Sequence, residues 1–265
     1  MNNIRLIEIG EEIHGDNKRE ASRVRSLLDS AGTTMINLMA SPGAGKTSLI
    51  LRTLEALKAD KRPQASDHSG KSSVQRIRPS GSDTNAPGGG HDSKPDRFLR
   101  TAVIEADMDS MVDSEKIAAA GVEAVQVRTG GFCHVDAWMV MKTIQTLDLT
   151  RIDLLILENV GNLICPAQFD TGADTNVMIL SVPEGDDKPL KYPLMFRECE
   201  ALIVNKIDFL ELTDFDMQKL RERVLRLNPA MEIFEVSCRT GEGILRWTEW
   251  IVSRIAARSA ARLRP

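Results

Sequence analysis

Residues 40–47 read Ala-Ser-Pro-Gly-Ala-Gly-Lys-Thr. They match the phosphate-loop pattern G-x-x-x-x-G-K-[S/T], except that Ala40 takes the place of the first glycine. Successive backbone N–H groups at the start of a helix form a cradle for anions. Gly43, Ala44, Gly45 and Ser48 would therefore wrap phosphates. Lys46 would reach the β- and γ-phosphates, and the Thr47 hydroxyl would bind Mg²⁺. Further on, Asn205-Lys206-Ile207-Asp208 follows an apolar run. A carboxylate there can accept from guanine N1–H and the 2-amino group, a donor pair that adenine lacks, and leaving such groups unpaired is costly. Asp208 is read as the guanine reader, Asn205 as a brace between loops, and the Lys206 stem as a surface under the base. Ser237, Cys238 and Arg239, in Ser-Cys-Arg-Thr-Gly, would offer backbone N–H groups to the base. The phosphate loop, this tetrapeptide about 160 residues later and the third loop together specify GTP far better than any one of them.

Two carboxylates stand where strands should end. Asp107 closes Ile-Glu-Ala-Asp and Glu158 closes Leu-Leu-Ile-Leu-Glu. Either could hold Mg²⁺ or a metal-bound water, or orient attacking water, with Gly161 letting the next loop respond to the γ-phosphate. Such carboxylates also cap helices or pair with arginine, and spacing does not assign the tasks between them.

A second constellation is Cys133-His134, in Thr-Gly-Gly-Phe-Cys-His-Val-Asp, with Cys165 in Asn-Leu-Ile-Cys-Pro. Two thiolates and an imidazole suit Ni²⁺ or Zn²⁺, and Asp136 could orient His134. Adjacent ligands, and few of them, fit an open or subunit-shared site better than a closed structural one. The plainer reading is two buried cysteines and a helix-capping histidine. That reading is adopted for Cys199 and Cys238, as solvent exposure is for His68 and His91.

The elements that must position these groups follow from apolar patterning. Helices are expected over 18–31, 47–59, 111–120, 134–147, 214–227 and 243–257. Strands are expected over 34–40, 98–105, 123–128, 152–158, 176–182, 201–205 and 232–236. Trp247 and Trp250 would cover the edge of the last helix or an interface. Apolar strands alternating with helices predict an α/β fold, a mostly parallel doubly wound sheet with helices on both faces. Loops at the carboxyl ends of its strands gather on one rim, so the phosphate and cysteine segments can meet there. Residues 60–97 differ: 16 of the 38 are Gly, Ser or Pro, and large apolar side chains are nearly absent. They are expected to be a disordered insert within a single domain spanning 1–265, which begins with a helical extension over 1–33.

Composition narrows the function. The chain has 265 residues, a formal charge of −4, 42% hydrophobic and 4% aromatic residues. Mild acidity argues against a nucleic-acid partner. There is no run of 18 apolar residues and no visible signal peptide, so no membrane span and a cytoplasmic location are expected. Four cysteines in so long a chain are thiols or metal ligands rather than a disulfide framework.

The segments NLMASPGAGKTSLI, AVIEADMDS, QVRTGGFCHVDAWMV, LLILENVGNLICPAQFDTG, SVPEGDDKPLKYPLMF, LIVNKIDFLEL and VSCRTGEG closely resemble the hydrogenase nickel-incorporation GTPases, the HypB family. The likeness covers about 34–58 and 101–252. It implies a P-loop GTPase of the SIMIBI class, whose members dimerise across the nucleotide. It further implies slow GTP hydrolysis with Mg²⁺ and delivery of Ni²⁺ to the large-subunit precursor of [NiFe]-hydrogenase, alongside a small zinc- and nickel-binding accessory protein. The family's metal residues fall on Cys133, His134 and Cys165, and its acidic residues on Asp107 and Glu158. Here Glu-Ala-Asp stands where Glu-Gly-Asp is common, and Ser110 where a threonine is usual. Neither the N-terminal Cys-x-x-Cys-Gly-Cys site nor the histidine-rich tail of some members is present, which argues against tight nickel storage. A urease-type nickel GTPase would carry Cys-Pro-His, absent here. A metal-independent regulatory GTPase and a nickel-binding scaffold are rival functions for the same residues.

Overall fold

The computed structural model describes residues 4–8, 17–59, 99–107 and 112–262. The 60–97 insert, His14, His68, His91 and Ser110 lie outside the described residues. Eight strands form one sheet: β1 (Ile4–Glu8), β2 (Thr34–Ala40), β3 (Thr101–Asp107), β4 (Glu123–Arg128), β5 (Leu154–Glu158), β6 (Thr175–Ser181), β7 (Ala201–Asn205) and β8 (Glu232–Glu235). Their spatial order is β1-β4-β3-β5-β2-β6-β7-β8, and every pair is parallel. The expectation over 1–33 needs correcting at its start. Ile4–Glu8 is a strand that pairs with β4, ahead of helix α1 (Asn17–Ala31). A lone five-residue run has no period to reveal it; its place is set by the edge of β4.

Both faces of the sheet are covered, which is why its strands read as continuous apolar runs rather than alternating ones. On one face Ile36, Leu38, Ile156 and Ile179 pack against Leu49, Ile50 and Leu54 of α2 (Lys46–Ala59), Ile117 of α3 (Val112–Ala119), and Trp247 and Ile251 of α8 (Ile244–Arg262). On the other, Met35, Ile104 and Leu155 meet Val24 and Leu28 of α1 and Met139 and Val140 of α4 (Ala137–Ile144). Further along that face Met39, Met178 and Leu202 meet Phe196 of α6 (Pro193–Arg197) and Leu220 and Val224 of α7 (Met217–Leu227). A four-residue helix, α5 (Lys188–Lys191), precedes α6. Burying each such aliphatic side chain contributes about 1.5–3 kcal/mol.

Trp247 and Trp250 are core residues rather than an edge or interface cover. They stack 5.3 Å apart and each meets Phe234 edge-on at 5.6 Å. Trp247 Nε1 donates to Thr53 Oγ1 at 2.9 Å and Trp250 Nε1 to Glu232 Oε1 at 2.6 Å, so neither indole N–H is stranded in the interior. The helix expected over 134–147 starts later, at Ala137. Asp136 is its N-cap and accepts from Met139 N at 2.9 Å. Strand order reverses at β2, between β5 and β6. Such switch points open a crevice at the carboxyl ends of the strands, where ligands bind.

Candidate nucleotide site and metal centre

The phosphate loop turns from β2 into α2 at the switch point. Gly43 (φ +77°) and Gly45 (φ +99°) take left-handed backbone that other residues avoid. At Gly45 there is a second reason. A Cβ would sit 2.4 Å from Asn205 Nδ2, so only glycine admits the brace. Asn205 Nδ2 donates to Ala44 O at 2.9 Å, while its Oδ1 accepts from Lys206 N (2.8 Å) and Cys238 N (3.3 Å). One buried amide thus ties together the three loops picked out from sequence. Lys206 adopts φ +63°, alone among the described non-glycine residues, and its Nζ donates to Gly43 O at 2.8 Å. Its stem runs over the phosphate loop.

Both oxygens of Asp208 are engaged from the third loop, by Ser237 Oγ at 2.5 Å and Arg239 Nε at 2.8 Å. The Ser237 bond and, after it, Arg239 hold the carboxyl below the usual aspartate range, so it is an anion at neutral pH, as an acceptor for guanine donors must be. Arg52 of α2 fixes the same loop by donating to Cys238 O (2.7 Å) and Arg239 O (3.3 Å). Burial pushes the Cys238 thiol up to about 11, and that of Cys199 is raised by burial too; both are inert packing thiols.

A cleft of about 350 Å³ runs along the phosphate loop, lined by Lys46, Thr47, Ser48, Asp113, Glu158 and Lys206 among others. A cavity of about 460 Å³, lined by Leu54, Arg100 and Asp148 among others, holds none of the phosphate-loop residues. Thr47 Oγ1 donates to Glu158 Oε1 at 2.9 Å, and Glu158 Oε2 is buried with no hydrogen-bond partner. Burial raises Glu158 to about 7, against the pull of Lys46 and the Thr47 bond. A hard divalent cation takes oxygen ligands of this kind, and an orphaned carboxylate oxygen beside a threonine hydroxyl fits one.

The carboxylates gathered with Glu158 are Glu105 and Asp113, their oxygens within 4.8 Å of one another. Asp107 ends β3 and contributes through its charge, which raises both Glu105 and Glu158. Sequence reasoning assigns the strand-end chemistry to Asp107 and passes over Glu105, which lies inside β3. Strand pairing is the missing signal. It also passes over Glu184, which accepts from Ser181 N (2.8 Å) and Ser181 Oγ (2.7 Å) and from the phosphate-loop Ser41 hydroxyl.

Cys133, His134 and Cys165 converge as expected, with one ligand atom from each within 4.8 Å of the others. The two Sγ atoms are 2.8 Å apart, and Cys133 Sγ lies 4.0 Å from His134 Nδ1. Cys165 opens a single 3₁₀ turn, Cys165–Ala167. The His134 ring stacks on Phe169 (centroids 3.7 Å apart, 16° between planes), which fixes its direction. The cysteines are half-buried, so a third party can still reach them. The Cys165 thiol, then burial, raise that of Cys133.

Comparison with known proteins agrees with this geometry. Residues 94–235 match the model of the CobW/HypB/UreG nucleotide-binding domain. The hydrogenase maturation factor HypB of Azotobacter vinelandii is 39% identical over 259 residues, covering 98% of this chain and 73% of that protein. The crystal structure of HypB from Helicobacter pylori in complex with nickel superposes with a TM-score of 0.74, at 28% identity over 92% of this chain and 97% of that one. HypB from Archaeoglobus fulgidus gives 0.71, at 30% identity over 91% and 98%. A phosphate loop braced by its base-reading loops, and a Cys-His-Cys cluster on the same rim, thus come with an overall likeness in sequence and shape, and the chain belongs to the HypB family of SIMIBI-class P-loop GTPases.

Proposed function

We propose that the protein hydrolyses GTP and couples the nucleotide's state to delivery of Ni²⁺ during maturation of [NiFe]-hydrogenase. The observation that carries this reading is that one stretch of chain, 158–165, touches both sites. Its first residue bonds Thr47, and its last lies 2.8 Å from Cys133. Backbone N–H groups of Gly43–Ser48 and the Lys46 ammonium bind the phosphates, and Asp208 reads guanine. Thr47 and Glu158 hold Mg²⁺, with Asp107, Glu105 and Asp113 as the carboxylates around them. When bound, the ion offsets charge on the β- and γ-phosphates. Asp107 and Glu158 are the candidates to orient attacking water, and turnover is expected to be slow.

Nickel is cargo. Cys133, His134 and Cys165 give three ligands per chain, an open set that can pass an ion on. A GTP-dependent homodimer would add the second chain's ligands; the acceptor is the hydrogenase large-subunit precursor, and a small zinc- and nickel-binding accessory protein is the partner in delivery. Support comes from the family, from the nickel complex of the Helicobacter pylori relative, and from the ligand set itself. Among the described residues no helix is long and apolar enough to cross a membrane.

Calorimetric titration of Ni²⁺ and Zn²⁺ into GDP-bound protein, and into protein bound to a non-hydrolysable GTP analogue, tests the reading. The dimer fraction is measured in parallel. The expected result is a metal affinity that differs between the nucleotides and is lost in the double variant C133A/C165A. Because coupling is reciprocal, nickel should also shift nucleotide affinity. Equal metal affinity in both nucleotide states would overturn it, and a metal-independent regulatory GTPase would then fit better.

A further inference from the structure

The proposed coupling needs a physical link between a cleft that faces α2 and a metal cluster that faces α4. Glu158 ends β5 on the α2 side, continuing Leu154 and Ile156. Asn159, one residue on, turns to the opposite side and is fully buried. Its Oδ1 accepts from Val135 N (3.1 Å) and Val160 N (2.9 Å), and its Nδ2 donates to Asn37 Oδ1 (3.1 Å). Asn37 Nδ2 in turn donates to Asn176 Oδ1 (3.0 Å), so a row of amides on β2 and β6 anchors Asn159. The amide serves both directions at once from two separate atoms: a carboxylate lacks the donor, an aliphatic side chain lacks both, and a serine hydroxyl is too short to span them.

Three residues further, Asn162 Nδ2 donates to Cys133 O at 3.3 Å while its Oδ1 accepts from Ile164 N at 2.9 Å. Between the two lies Gly161, where a Cβ would stand 3.1–3.3 Å from Pro42 of the phosphate loop. The segment therefore lies against Pro42 and bonds Thr47 on the nucleotide side. On the metal side its two asparagines hold the backbone immediately before and after His134, at Cys133 O and Val135 N. Cys165 belongs to the same run of chain and follows any shift covalently. Cys133 and His134 are distant in sequence and can follow only through contacts.

We propose that Asn159 and Asn162 are the positioning residues that carry the nucleotide state to the metal ligands. When the 158–162 segment shifts on the phosphate loop, these two hydrogen bonds move the Cys133–Val135 turn in step with Cys165. The inference rests on the GTPase and nickel reading above and names the regulation of that same site.

The test is a Ni²⁺ titration of the full chain with GDP and with a non-hydrolysable GTP analogue, for wild type, N159S, N162A and N162Q. Wild type is expected to show a ratio of nickel affinities in the range of about 5- to 150-fold. N159S and N162A should bring it within about twofold of unity, with GDP affinity within about threefold of wild type. N162Q, which keeps an amide donor, should recover part of the ratio. N162A, at a half-buried position, decides the matter alone if N159S does not fold. A folded N162A with the wild-type ratio overturns the inference while leaving the coupling reading intact. So does equal weakening of nickel in both nucleotide states, which marks a purely structural role. A wild-type ratio of one is a different failure, because it removes the coupling itself and the inference with it.

Discussion

Glu105 on β3 and Glu158 on β5 are register partners in adjacent parallel strands, and both are 3% exposed beneath the phosphate loop. Their carboxyl groups leave the same side of the sheet. Burial pushes Glu105 up to about 8, with the Glu158 charge adding to it and the Ser114 hydroxyl (3.0 Å) opposing. Burial likewise holds Glu158 near 7. At neutral pH the pair therefore keeps at least one proton, as two close carboxyls in a dry site do.

A pH dependence of stability follows. An unfolded glutamate titrates near 4.3, so between about pH 4.5 and 8 the native protein binds more protons than the unfolded chain. Stability from these groups is fully present below that window and falls as pH rises through it. In buffer without nucleotide or divalent metal, urea unfolding at pH 5.5 and 8.5 should show wild type losing on the order of 1–3 kcal/mol more than E105Q, which cannot ionise. The same pH slope in both proteins would refute the assignment.

Base selectivity should reside in Asp208. Its two oxygens are held toward Ser237 and Arg239 and are already ionised. In D208N one acceptor becomes a donor, which faces guanine N1–H and the 2-amino group with an unmatched partner. GTP and GDP affinity should fall by about 100-fold or more. Xanthine nucleotides, which present a carbonyl where guanine has its amino group, should gain. Competition against a fluorescent GDP checks both halves, and unchanged GDP binding would move the reader elsewhere.

Much of this site is legible in the sequence because its residues carry their own local signature. Gly43, Gly45, Lys46 and Thr47 sit on a strand-to-helix boundary that periodicity alone locates. Cys133, His134 and Cys165 pair because loops at strand ends share a rim, and their ligand atoms do meet. What stays hidden depends on register between strands distant in sequence. Glu105 looks like an ordinary strand residue until β5 brings Glu158 beside it. Asn159 reads as a polar residue after a strand until Val135 and Asn37 arrive. The first strand escapes a sequence reading because a five-residue edge has no internal period. Trp247 and Trp250 read as edge residues because one helix face does not say how deep it sits.

Gly45 offers a test of the brace between loops. G45A puts a methyl group against Asn205 Nδ2 at a backbone angle that alanine resists. Asn205 must then release Ala44 O, Lys206 N or Cys238 N. The strain is expected to cost about 1–3 kcal/mol, lowering the melting temperature by several degrees, and GDP affinity should fall at least about tenfold. N205A leaves Gly45 unstrained and should lose nucleotide affinity with a smaller thermal shift. If G45A binds GDP like wild type, the loops are not held through Asn205.

Nickel binding should depend on pH through the two thiols. Thiolates, not thiols, are the ligands, so ligation displaces protons. The Cys133 thiol is raised by its neighbour Cys165 and by burial. At pH 6.5–7.5 it is therefore protonated before the ion arrives, and affinity should climb as pH rises through 6.5–8.5. Each thiol that binds as a thiolate displaces its proton, so the logarithm of the association constant should rise with pH. C165S removes one thiol ligand and the neighbour that raises the Cys133 thiol. Its slope should drop, its affinity should fall, and its sulfur-to-nickel charge-transfer absorption should weaken by about half. Titration in buffers of different ionisation enthalpy counts the protons directly. A slope unchanged by C165S would mean that Cys165 is a neighbour of the site and not one of its ligands.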